Sequence, residues 1–81
     1  MNAVEKRLGK ARIELICSRN NLQADDIKIV LEIFEEWDNL TGQTEKKIRV
    51  VTKKILGNPN KDAIIKSLID VSKVFSGISF N

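Results

Sequence analysis

The chain has 81 residues, with 14 lysines and arginines against 11 aspartates and glutamates and a formal net charge of +3. A single cysteine, Cys17, and no histidine exclude an intrachain disulfide framework and ordinary zinc chemistry. No apolar run approaches the ~20 residues that cross a bilayer. No signal-peptide block follows the first charges either, so an intracellular, cytoplasmic setting is expected.

The length suits one domain over residues 1–81. So short a chain buries only about 60% of its unfolded surface, which makes a monomeric core marginal.

The first helix is predicted over about residues 2–19. Val4, Leu8, Ala11 and Leu15 recur in steps of four and three, the stripe of a helix packed on one neighbour. Ile13 and Cys17 point elsewhere, so the end of this helix is expected to be more buried than its start. Cys17 reads as a small core residue rather than a reactive thiol. Lys6, Arg7, Lys10, Arg12 and Arg19 make the remaining face basic. Arg19-Asn20-Asn21 reads as a stop, because asparagine tolerates the left-handed conformation of a helix end.

The second helix, predicted over about residues 24–39, is the most apolar segment and carries the only tryptophan, Trp37. It is expected to be the core helix. At about 100° per residue, its apolar residues from Ile27 to Leu40 cover roughly 200°, twice the ~100° stripe of an ordinary surface helix. Phe34 and Trp37 are therefore expected to be largely buried. Gln23 is a weak N-cap, but Leu22 and Ile27 have the spacing of a hydrophobic staple. Asp25 and Asp26 suit the positive end of the helix dipole. Glu32, Glu35 and Glu36 form the densest acidic group and read as a solvated face.

Asp38 to Gln43 has turn chemistry, with Thr41 and Thr44 as candidate N-caps for a third helix over about residues 43–56. Ile48, Val51 and Ile55 share its apolar side. Lys46, Arg49 and Lys53 line the opposite side, with Lys47 and Lys54 flanking it. Gly57 suits the position just past the helix end. Asn58-Pro59 supplies an N-cap followed by a proline suited to a first helical position, and Asn60 is a second candidate cap. The fourth helix is then predicted over about residues 60–75 with a tail over 76–81. Its main face is Ile64, Leu68, Val71 and Phe75, widened by Ile65 and Ile69 on one side and by Val74 on the other.

Four helices with short connections imply an all-α, small four-helix domain of antiparallel, bundle-like form. Two wide apolar arcs in so small a domain further suggest completion by a second copy. Its expected contact is Ile65 and Ile69, where Ser72 continues the edge and permits close approach.

No motif for catalysis, metal, nucleotide or cofactor binding is present, and the carboxylates are scattered along helix surfaces, so no enzymatic role is expected. The surplus of apolar surface instead predicts a protein partner, homodimerisation included, and hence a regulator, an adaptor or an inhibitor of the immunity type. The alternative is a nucleic-acid-binding regulator using Lys46, Lys47, Arg49, Lys53 and Lys54 of the third helix.

Overall fold

The computed structural model describes residues 3–75, with side chains over residues 9–37 and 39–74. The fold is a small all-α domain. Among the described residues are four α-helices and no strand: α1 (Ala3–Arg19), α2 (Ala24–Glu35), α3 (Thr44–Lys54) and α4 (Lys61–Phe75). A short 3₁₀ turn, Trp37–Asn39, follows α2.

The end of α1 is set by Asn21, which adopts the left-handed conformation at φ 63°. Leu22 N–H donates to the Cys17 carbonyl at 3.1 Å and Asn21 N–H to the Ser18 carbonyl at 3.0 Å. This pair of bonds is the Schellman arrangement, and it brings the apolar Leu22 back over Cys17, the two residues it normally joins. Both are buried.

That turn decides which face of α1 packs. Ile13 and Cys17 lie one turn apart and point inward. The predicted stripe is therefore corrected: Ala11 is exposed and Leu15 is 53% exposed. The side chains of Val4 and Leu8 lie outside the described residues.

The hub of the fold is α4 rather than α2, a second correction. It packs against each of the other three helices, whereas α1 and α2 pair with each other and α3 is held chiefly by α4. Ile64, Leu68 and Val71 on α4 have no exposed surface, and each such burial contributes about 1.5–3 kcal/mol. Val30 of α2, Val51 and Ile55 of α3, and Ile13, Cys17 and Leu22 complete the core. The side chain of Phe75 and the tail lie outside the described residues.

On α2 only Asp26 and Val30 are buried, and Ile27, Ile29, Leu31, Ile33 and Phe34 are each half-buried. Phe34 and Trp37 are thus at the edge of the core and not inside it. The reason is that α2 ends at Glu35, and Trp37 sits in the following 3₁₀ turn. There its ring lies 4.7 Å from that of Phe34, centre to centre.

Two polar clusters tie the helices together. Asn20 Nδ2 donates to Ser67 Oγ at 2.9 Å and to Asp70 Oδ2 at 3.1 Å, joining the end of α1 to α4. The Ser67 hydroxyl donates in turn to the Ala63 carbonyl at 2.9 Å, so a fully buried hydroxyl is satisfied in both roles. In the second cluster, Asn58 and Asn60 of the α3–α4 connection both donate to the Asp26 carboxylate.

Two predicted caps also move, and the start of α4 falls on the second of the two predicted for it. Gln43, and neither threonine, is the N-cap of α3, because Gly42 at φ 92° aims the chain so that the helix begins at Thr44. Gly57 has no positive φ, since α3 closes at Ile55 and Asn58 N–H then donates to the Ile55 carbonyl at 2.9 Å. Asn58 Oδ1 accepts from Asn60 N–H at 2.7 Å, a local turn that keeps Pro59 out of the helix; α4 starts at Lys61, just after Asn60, the second predicted cap, whose carbonyl accepts from Ile64 N–H.

Candidate functional site

On α3, Val51 and Ile55 lie one turn apart and are buried, with Ile48 half-buried beside them. The opposite side must then face outward. Lys46, Arg49 and Lys53 occupy it as one exposed ridge, since residues three and four apart are neighbours on a helix surface. Val50 stands beside this ridge and is 37% exposed.

The other two predicted basic residues lie on a different edge. Lys47 is half-buried, and its ammonium sits 5.3 Å from the centre of the Trp37 ring, a cation–π contact. Lys54 is exposed two turns further along the same edge. The five cations are thus split between an outer ridge and the edge that faces the 3₁₀ turn.

Among the described residues, no hydrogen bond or ion pair engages Lys46, Arg49, Lys53 or Lys54. The acidic α2 and its C-cap do carry the opposite charge, with Asp25, Glu32, Glu35 and Glu36 exposed, yet among the described residues no contact ion pair joins them to α3.

Beside the ridge, α3 and α4 leave a shallow groove of about 610 Å³. Ile48 and Ile69 supply its apolar part; Thr44, Ser72, Glu45, Arg49 and Lys73 complete the lining. Ser72 is small, and its hydroxyl already donates to the Leu68 carbonyl at 2.7 Å, so it presents little bulk to anything entering. Lys47 marks the edge of α3 that faces the 3₁₀ turn, so the groove opens on the side away from α2.

Of the residues predicted as a partner surface, Ile69 and Ser72 line this groove. Ile65 does not: it is half-buried and packs on the core. Ile69 is 36% exposed. Thr44, Glu45, Ile48 and Lys73 were not foreseen. The signal for them is present in the numbering. Ile48 and Ile69, Glu45 and Ser72, and Thr44 and Lys73 are symmetrically spaced about the α3–α4 connection. Two antiparallel helices with equal rise per residue bring such pairs level.

Cys17 has no role at this site. It is fully buried, and burial raises its thiol pKa, partly offset by a hydrogen bond with Ser67 and reinforced by the negative charge of Glu14. Among the described residues, no cluster of potential metal ligands occurs, and no helix is long and apolar enough to cross a membrane.

No protein-family model matches the chain, and no curated protein and no solved structure resembles it significantly.

Proposed function

We propose that this protein is a non-enzymatic protein-interaction module whose docking surface is the α3–α4 groove. One observation carries the reading: an apolar strip, Ile48 and Ile69, lies beside a ridge of cations that, among the described residues, makes no ion pair. Apolar contact supplies affinity at such a surface, while charge steers the approach and selects the partner. A regulator, adaptor or inhibitor acts in this way, by occupying or presenting a surface. The lone reduced cysteine suits a cytoplasmic setting for that role.

The dimer through Ile65, Ile69 and Ser72 is less well supported than a contact with a different protein. Ile65 faces the core, and a two-fold axis at Ile69 would bring Arg49 and Lys73 of two copies together. Nucleic acid is the second reading, favoured by the basic ridge alone. The isoleucine strip is of no use to a phosphate backbone and tips the choice toward protein.

The test is affinity capture from the native host with three baits: the parent chain, Ile69→Lys and Leu15→Lys. A protein held by the parent and by Leu15→Lys, and lost with Ile69→Lys, supports the groove. Equal capture by all three baits rules it out. A shift of random duplex DNA at low salt, abolished by Lys46→Glu with Lys53→Glu, moves the assignment to nucleic acid.

A further inference from the structure

We infer that the occupant of the groove is an acidic amphipathic helix of a partner protein, an assignment that rests on reading the groove as a docking surface. The cleft runs along two antiparallel helices, with Thr44, Glu45, Ile48 and Arg49 on one wall and Ile69, Ser72 and Lys73 on the other. A third helix laid in such a cleft buries a stripe of side chains spaced three and four apart, the helix-in-groove mode of recognition. Ile48 and Ile69 are the apolar pair that this stripe would meet. Thr44 and Ser72 are small enough to let a helix backbone come close.

Charge then selects the sequence of that helix. Lys46 and Lys53 stand on either side of Arg49, one turn away in each direction, so the ridge runs about 10 Å along α3. A partner helix in the cleft would place its flank beside all three. Carboxylates on that flank would find three cations that no described residue of this chain engages. Glu45 is the one acidic side chain in the lining, set against Arg49 and Lys73. A basic helix is therefore repelled, and a purely polar one leaves Ile48 and Ile69 uncovered.

The same charge disfavours a second copy laid groove to groove, because its own ridge is equally basic. Geometry, and not charge, disfavours the outer face of a second copy's α2. That face is acidic, but it lies away from the groove, so the contact would be head to tail and would not close into a dimer.

The test uses the full chain and four probes. The first is a stapled 15-residue peptide with leucine at helical spacing and glutamate elsewhere, where about 15 residues gives four turns. The second replaces every glutamate by lysine. The third is polyglutamate, and the fourth a random DNA duplex. Binding is read by fluorescence anisotropy at low and high salt, and the parent is sedimented at tens of micromolar.

The expected result is binding of the leucine–glutamate peptide alone. Ile69→Lys should weaken it about tenfold or more, as should Arg49→Glu on the exposed ridge, and salt should weaken it several-fold. Retained helical circular dichroism shows that each variant is folded. Three results overturn the assignment. The first is no binding of that peptide at about 1 mM, or equal binding of its lysine twin. The second is duplex DNA that binds and competes. The third is a parent dimer that Ile69→Lys converts to monomer. If the peptides fail while capture of a host protein still depends on Ile69, the docking surface stands and its acidic occupant falls. If capture is also independent of Ile69, both fall.

Discussion

Asn60 Nδ2 donates a 2.8 Å hydrogen bond to Asp26 Oδ2, across 34 positions of sequence. Asn58 Nδ2 reaches the other carboxylate oxygen at 3.2 Å. Asp26 is only 8% exposed, so the two amides stand in for the water it has lost. The contact pins the connection between α3 and α4 onto the first turn of α2. Replacing Asp26 with alanine strands both amides and removes a carboxylate from the positive end of a helix. Together these should cost about 2 kcal/mol. A drop in the urea midpoint with an unchanged slope is the expected observation, and Asp26→Ala combined with Asn60→Ala should cost less than the two single changes added.

Leu68→Ala should destabilise more than Phe34→Ala, although phenylalanine is the larger side chain. Leu68 has no exposed surface and lies on the helix that packs against all the others. Its truncation leaves a cavity and should cost about 2–5 kcal/mol, enough to unfold much of a marginal domain. Phe34 is half-buried at the end of α2, and part of the space it vacates opens to solvent. Thermal or urea denaturation of both variants checks the order. A larger loss for Phe34→Ala would show that the aromatic pair, and not α4, anchors the core.

The two faces of α1 should answer oppositely to a charge. Leu15→Lys falls on the exposed face and should change stability by no more than about 0.5 kcal/mol. Ile13→Lys buries an ammonium in the apolar core and should abolish the cooperative transition. Circular dichroism of the two variants at 25 °C distinguishes them directly.

Cys17 should be silent until the chain opens. Its thiol pKa lies above the ordinary 9.0, chiefly because burial penalises the thiolate. Ellman's reagent should therefore react slowly with the folded protein near neutral pH and at once in denaturant. The sign of the pH effect follows. Below pH 9 both states carry the thiol and nothing is lost. Above it the unfolded chain ionises first, so stability falls until the folded thiol ionises too. Cys17→Ala should remove that part of the alkaline loss, seen as a flatter dependence of the denaturation midpoint between pH 9 and its own upper limit.

Much of this was legible in the residues because it is local. Asn20-Asn21 marks the end of α1 through a backbone conformation that asparagine tolerates better than most residues. The periodicity of Ile64, Leu68 and Val71 gives the buried face of α4, and the spacing of Lys46, Arg49 and Lys53 gives the outer ridge of α3. The helix count and the all-α class follow from the same short-range signals. The tertiary structure decided which of several apolar faces is used. Leu15 and Ile13 are equally good core candidates in sequence, and only the turn of Leu22 over Cys17 rotates one inward. The number of apolar residues made α2 look central, yet centrality depends on how many neighbours a helix meets, and α4 meets three. The Asp26 clamp and the Ile48–Ile69 groove join residues from separate helices. Periodicity within one helix encodes neither; the symmetric numbering of α3 and α4 indicates which residues come level only once the two are known to pack antiparallel.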